Sequence, residues 1–156
     1  MRVYVLITSF DPLRIYVYDE GLTRFASEAY KHTSSKANNF VHLTNYSINK
    51  KNTSFVKNET ANEDNFGHKW SLSALMKHIE SLGLDSELLW NRIYDLVIKT
   101  VISCEDEVVT QIRRYGLNRS NWFDLLGFDI LLDAELNPWL MEVNLCPSLA
   151  TESPLD

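Results

Sequence analysis

Glycine is scarce in this chain, five among 156 residues, and no two lie close together. That excludes a phosphate-cradling loop, a Walker lysine motif and a dinucleotide fingerprint, which all need clustered glycines to let backbone N–H groups approach an anion. Any nucleotide must instead be held by strands and long side chains. Cysteine is nearly absent: Cys104 and Cys146 match no metal-ligand spacing and form no disulfide framework, which points to a reducing compartment and to packing roles for both. Basic residues are the minority, 15 against 21 acidic, and the net charge of −6 argues against nucleic acid as a partner. No apolar run is long enough to span a membrane, and residues 3–7 are too short for a secretory signal before Asp11 interrupts them. Without a secretory route, the Asn-x-Ser/Thr triplets at Asn45, Asn52, Asn58 and Asn118 carry no glycosylation reading. There is no nucleophile elbow, and His32, His42, His68 and His78 share no ligand spacing.

What the chain does have is a 45% hydrophobic content over the length of one ordinary domain, enough for a packed core. Its charge is unevenly spread. Residues 30–58 carry Lys31, Lys36, Lys50, Lys51 and Lys57 and no acidic side chain, a basic window that is either a solvated loop or a surface for an anionic partner.

The β-branched and aromatic residues at 3–8 and 14–18 predict strands separated by Asp11-Pro12. Asp19-Glu20-Gly21 then predicts a turn into residues 22–27. Residues 28–67 read as a long polar loop with one brief strand at 40–43, and loops of that length in a compact domain usually serve function or are disordered. Leu72, Leu75, Met76 and Ile79 have helical spacing that stops at Gly83. A longer helix is expected after an Asp85 cap, burying Leu89, Ile93, Leu96, Val97, Val101, Cys104, Val108 and Ile112 and closing at Gly116. Residues 118–121 read as a polar turn.

The most informative stretch is the hairpin from Gly127 to Asn144. Side chains alternate between faces along each arm, which places Phe128, Ile130 and Leu132 on one side and Asp129, Leu131 and Asp133 on the other. In the second arm, Trp139, Met141 and Val143 form one row and Leu140, Glu142 and Asn144 the opposite row. With the turn centred near Glu135 and Leu136, Asp129 falls across from Glu142. Like charges facing each other destabilise a ladder. A divalent cation such as Mg2+ resolves the conflict by taking oxygens from Asp129, Glu142 and Asn144. Solvent-exposed acids on an edge hairpin, or a carboxylate that is protonated or paired with a nearby arginine, are the alternatives. With early-strand arginines and a lysine-bearing loop, the set suits phosphoryl chemistry on a small anionic substrate. The whole reads as an α+β, mixed α/β domain: an antiparallel-rich sheet packed against two central helices, with Phe128, Ile130, Trp139 and Met141 turned toward helix.

The segment His42-Leu43-Thr44-Asn45-Tyr46-Ser47-Ile48-Asn49-Lys50, the hairpin and Cys146-Pro147-Ser148 together resemble the tubulin tyrosine ligase-like family of ATP-grasp enzymes, over essentially residues 1–156. Asp11-Pro12-Leu13-Arg14 and Tyr46-Ser47 are most similar to the glutamate-adding branch. The resemblance implies Asp129, Glu142 and Asn144 as magnesium ligands, with Glu142 bridging two ions. It implies Thr44 and Asn45 beside ATP, and Arg24, Tyr46, Ser47 and Lys69 around the amino acid to be added. Arg2 would face the phosphates or the reacting carboxylate. Cys146 stands where relatives often carry a small hydroxyl residue.

The implied activity is tubulin polyglutamylation. ATP phosphorylates a glutamate side chain in a tubulin tail, and the acyl phosphate is attacked by the amine of free L-glutamate. The basic window at 31–57 would meet the acidic tail of tubulin on microtubules. The expected protein is a monomer of cytoplasm and cytoskeleton, including the cilium, the flagellar axoneme and the basal body. By the same resemblance the chain corresponds to the C-terminal part of an ATP-grasp catalytic domain, without the lysines and hinge that hold ATP, so that alone it would bind ATP poorly. A non-catalytic tubulin-binding relative, and an ATP-grasp ligase that adds glycine or tyrosine, are the other readings.

Overall fold

In a computed structural model that describes residues 1–30, 38–57, 64–115 and 123–149, strand β1 (Arg2–Phe10) buries Val3, Val5 and Ile7 and turns Arg2, Tyr4 and Leu6 to the other face. This alternation makes β1 the middle of an antiparallel five-stranded sheet of order β3-β2-β1-β4-β5. The core lies on the face of Val3, Val5, Leu126, Phe128 and Ile130, which pack with Leu72, Met76, Ile79, Leu89, Ile93 and Val97 of the two long helices. Each such fully buried aliphatic or aromatic side chain contributes about 1.5–3 kcal/mol. The α+β expectation therefore holds.

Strand β2 (Leu13–Arg24) corrects one expectation, because the chain does not turn at Asp19-Glu20-Gly21. Val3 pairs with Gly21 and Val5 with Val17, so the intervening residues of β2 bulge while the strand continues. Gly21 makes this possible, since a Cβ there would lie 2.3 Å from the Arg2 carbonyl oxygen. Residues 40–43 give a second correction. They belong mostly to a one-turn helix, α1 (Asn39–His42), because the Asn38 side chain accepts a hydrogen bond from the Phe40 N–H at 3.1 Å and caps it. A short apolar run does not distinguish strand from helix by periodicity, and here the cap decides. Another single turn, α2 (Tyr46–Asn49), follows. Strand β3 (Lys69–Ser71), which is too short to show a period, adds to the edge of β2.

Helix α3 (Leu72–Ser81) is capped by Ser71, whose hydroxyl accepts from the Ala74 N–H, and the chain leaves it at Gly83 with φ of 76°. Helix α4 (Ser86–Arg114) begins at the expected cap, where Asp85 accepts from the Leu88 N–H at 2.9 Å. Leu89, Ile93, Val97 and Val101 are buried, and Leu96, Val108 and Ile112 are partly so. Cys104 is exposed, contrary to expectation, because the fully buried stripe ends at Val101. The expected stop at Gly116 and the turn at 118–121 lie outside the described residues. Among the described residues, no helix is long and apolar enough to cross a membrane.

Strands β4 (Asp124–Leu132) and β5 (Pro138–Leu145) form the expected hairpin. Asp133 organises its loop by accepting from the backbone N–H groups of Glu135 and Asn137, the Asn137 amide and the Trp139 indole N–H. Next to the loop the partners are Leu132 with Pro138, Leu131 with Trp139 and Ile130 with Leu140; beyond it they are Asp129 with Glu142 and Phe128 with Val143. Met141 is the extra residue, a bulge. This corrects the second-arm rows: Trp139 and Met141 do not cover the core but are 61% and 64% exposed, while Leu140 pairs with Ile130.

Candidate functional site on the open face of the sheet

The face away from the helices carries charge in order. Register places Ser71, Leu22, Arg2, Asp129 and Glu142 in one row across all five strands, because each is the direct partner of the next. Beside that row on one flank, Arg24 of β2 opposes Lys69 of β3; on the other, Asn144 of β5 opposes Gly127 of β4. The face is thus cationic on β3, β2 and β1 and anionic on β4 and β5. Adjacent strands are about 4.8 Å apart, so the stretch from β2 to β5 is roughly 14 Å wide.

Asp129 and Glu142 stand opposite each other, the expected pairing, reached through the Met141 bulge between them and the loop. Asp129 is also paired with arginine. Arg2 Nε donates to Asp129 Oδ1 at 2.5 Å, and Arg2 Nη2 donates to Oδ2 at 3.0 Å, a bidentate contact. Burial pushes the Asp129 carboxyl upward, but the hydrogen bond and charge of Arg2 bring it below its ordinary value. The hydrogen bond to Asp129 raises the Arg2 guanidinium, with burial opposing. Asp129 is therefore held ionised. Asn144 Nδ2 donates to Glu142 Oε1 at 3.2 Å and to the Gly127 carbonyl at 3.3 Å, which ties the amide to the carboxylate pair.

Gly127 makes the arrangement possible. A Cβ at this position would lie 2.9 Å from Pro147 Cβ and 3.1 Å from Arg2 Cδ, so its absence lets the Arg2 side chain lie across β4 to Asp129. The chain then leaves β5 through Cys146, which has φ of 55°, into buried Pro147. A glycine inside a strand pattern, two residues before a key acid, was the available signal for this close approach.

Among the described residues, no group of three or more His, Cys, Asp or Glu side chains is arranged to hold a metal. The donor set on this face is instead two carboxylates and an amide oxygen, hard donors of the kind Mg2+ takes alongside water and phosphate. By chemistry they fit such an ion, with Arg2 sharing Asp129.

On the cationic side, Arg24 is exposed and Lys69 half-buried. Two like charges directly opposite weaken a ladder unless an anion lies between them. Thr44, Asn45, Tyr46 and Ser47 are all exposed, in the connection between α1 and α2 and in the first turn of α2. They reach the sheet by two routes. One is aromatic: the Tyr46 ring meets Phe55 edge-on at 5.8 Å, and Phe55 stacks at 5.3 Å on His68, which precedes Lys69. The other is polar and passes through Asn49, whose importance the loop reading missed. Of the basic window, Lys50, Lys51 and Lys57 are exposed, Lys50 lying over the Tyr46 ring at 5.5 Å, while Lys31 and Lys36 are outside the described residues.

Comparison with known proteins adds an independent line. Tubulin polyglutamylase ttll-5 of Caenorhabditis elegans is 51% identical over 158 residues, covering 100% of this chain and 22% of that protein. Tubulin monoglutamylase TTLL4 of Mus musculus is 48% identical over 159 residues, covering 100% of this chain and 13% of its own length. Tubulin polyglutamylase TTLL5 of Homo sapiens is 46% identical over 157 residues, covering 100% of this chain and 12% of its own. The chain thus spans less than a quarter of the length of these relatives. The model of the tubulin-tyrosine ligase family matches residues 1–156 from end to end, and the chain belongs to that family.

Proposed function

We propose that these residues form part of an ATP-dependent ligase that adds glutamate to glutamate side chains in the acidic tails of tubulin. The observation that carries this reading is the charge order on the open face: Arg24 and Lys69, then Arg2, then Asp129, Glu142 and Asn144. Acid–amine ligation needs such an order, because carboxylates must be held beside a polyphosphate without mutual repulsion.

In this reading Arg24 and Lys69 clamp the carboxylates of free L-glutamate, a dianionic side-chain-plus-backbone pattern that a neutral amino acid lacks. Arg2 is held flat by Asp129 and Gly127 and presents its remaining N–H groups to the acceptor carboxylate or the transferred phosphoryl group. Asp129, Glu142 and Asn144 would hold Mg2+, one or two ions, which supplies charge neutralisation for the ATP phosphates. Thr44 and Asn45 lie beside the nucleotide, and Tyr46 and Ser47 beside the amino acid. The acceptor carboxylate takes the γ-phosphoryl group of ATP, with ADP leaving. The glutamate amine then attacks the acyl phosphate, loses a proton and expels inorganic phosphate as the isopeptide bond forms. No enzyme nucleophile is required, consistent with the absence of a nucleophile motif. In this reading the exposed Lys50, Lys51 and Lys57 meet the acidic tail of tubulin on the microtubule, and the protein works at the cytoskeleton and, where microtubules are axonemal, the cilium. The 156 residues act as one unit, the C-terminal portion of an ATP-grasp catalytic domain.

The names of the relatives support glutamate as the added residue, since all three are tubulin glutamylases. The test incubates the full-length protein with microtubules, ATP and labelled glutamate, glycine or tyrosine in parallel. Incorporation of glutamate alone is expected. Incorporation of glycine or tyrosine instead would move the protein to another branch, and no incorporation beside intact microtubule binding would leave a non-catalytic docking module.

A further inference from the structure

Asn49 is 1% exposed, one of few buried polar side chains among the described residues, and all of its hydrogen-bonding capacity is directional. Its Oδ1 accepts from the Ser27 N–H at 3.1 Å and the Ser27 hydroxyl at 2.7 Å. Its Nδ2 donates to the carbonyls of Leu43 at 2.6 Å and Asn45 at 3.2 Å. A backbone N–H can only donate and a carbonyl can only accept, so the amide orientation is fixed by its partners. The two carbonyls belong to the residues on either side of Thr44. Ser27 lies three positions beyond Arg24, at the end of β2. Around this centre, Asn52 Nδ2 donates to Ser27 Oγ and Glu28 Oε1, both at 3.0 Å, and Asn38 Nδ2 donates to Glu28 Oε2 at 2.9 Å.

We propose that Asn49 is a positioning residue that fixes the turn carrying Thr44, Asn45, Tyr46 and Ser47 against the strand carrying Arg24, and so sets the distance from Thr44 and Asn45, on the nucleotide side of the site, to Arg24, on the amino-acid side. The inference rests on the ligase reading for the identity of those halves, but the clamp itself is a property of this fold. No other side chain of this size both accepts from Ser27 and donates to two carbonyls. An aspartate keeps the shape but sets carboxylate oxygen against the carbonyls of Leu43 and Asn45.

The test uses the full-length protein with Asn49→Asp, Ser27→Ala and Ser27→Thr. Without ATP, amide hydrogen exchange across residues 43–50 is measured; Asn49→Asp and Ser27→Ala should speed it, and Ser27→Thr should restore protection. With ATP, the KM for Mg-ATP should rise between roughly tenfold and a hundredfold in Asn49→Asp, and less in Ser27→Ala. A merely structural role would lower the amount of active enzyme, and so kcat, with KM unmoved. A folded Asn49→Asp protein with wild-type exchange and wild-type KM overturns the proposal. If Asn49→Asp does not fold, unchanged exchange and KM in Ser27→Ala overturn it equally. A wild-type protein that incorporates no glutamate defeats the ligase reading instead, and the exchange measurement still decides the clamp.

Discussion

Asp129 faces Glu142 across β4 and β5 because Met141 is bulged out of the ladder between them and the hairpin loop. Continued without a bulge from the pairs next to the loop, the register would set Asp129 against Met141 and Glu142 against Phe128, which is fully buried. A carboxylate on the core face is costly to desolvate, so one unpaired residue keeps both acids on the open face. The bulge also explains why Trp139 and Met141 are exposed and Leu140 pairs with Ile130.

Glu142 is exposed, so its replacement is expected to leave folding intact and remove function. In the full-length protein, Glu142→Gln should shift unfolding stability by no more than about 0.5 kcal/mol, as for other surface substitutions, while incorporation of labelled glutamate into tubulin disappears. Full activity in a normally folded Glu142→Gln protein removes this residue from the proposed metal set.

The Arg2–Asp129 pair predicts an acid-sensitive contribution to stability. The folded-state carboxyl of Asp129 lies below its ordinary value, so its contribution is fully present above the normal carboxylate range and is lost as pH falls through the lowered value. Arg2→Met should remove the source of this shift. Denaturant unfolding from neutral to acidic pH should therefore show a flatter profile in Arg2→Met than in wild type. Parallel curves would contradict the pair as the cause.

Gly127→Ala should be destabilising by about 1–3 kcal/mol, the usual cost of overpacking, because the new methyl meets Pro147 Cβ at 2.9 Å and Arg2 Cδ at 3.1 Å. Denaturant midpoints measure this directly. The substitution should also displace Arg2 from Asp129, so the acid sensitivity of the pair should weaken in the same variant.

Thr23 Oγ1 is buried with no hydrogen-bond partner among the described residues. Replacing the hydroxyl with a methyl of similar shape should remove its desolvation penalty. Thr23→Val is expected to stabilise by about 1 kcal/mol, read from the denaturation midpoint. A loss of stability would mean that the hydroxyl is satisfied in the folded protein.

The sequence was readable wherever a local rule is strong. The strand at β1, the Asp85 cap and aliphatic stripe of α4, the stop of α3 at Gly83 and the inward row of β4 follow from β-branched composition, helical spacing, turn chemistry and side-chain alternation. It was less readable where weak signals compete. Asp19-Glu20-Gly21 has the composition of a turn, yet pairing with β1 on both sides carries β2 on through it as a bulge. Residues 40–43 could be strand or helix until the Asn38 cap forms, and Lys69, Trp70 and Ser71 become a strand through β2 beside them.

By itself the sequence determined which residues of β4 face inward, where α4 begins, and that two acids and an amide share one arm-to-arm surface. Only the tertiary structure decided that Arg2 grips Asp129, that Met141 is expelled from the ladder, that Arg24 and Lys69 oppose each other, and that Asn49 ties a distant turn to β2. The physical reason is range. Capping and periodicity act over a few residues, whereas these contacts join positions up to 127 apart in the chain, and their geometry exists only once the sheet has closed.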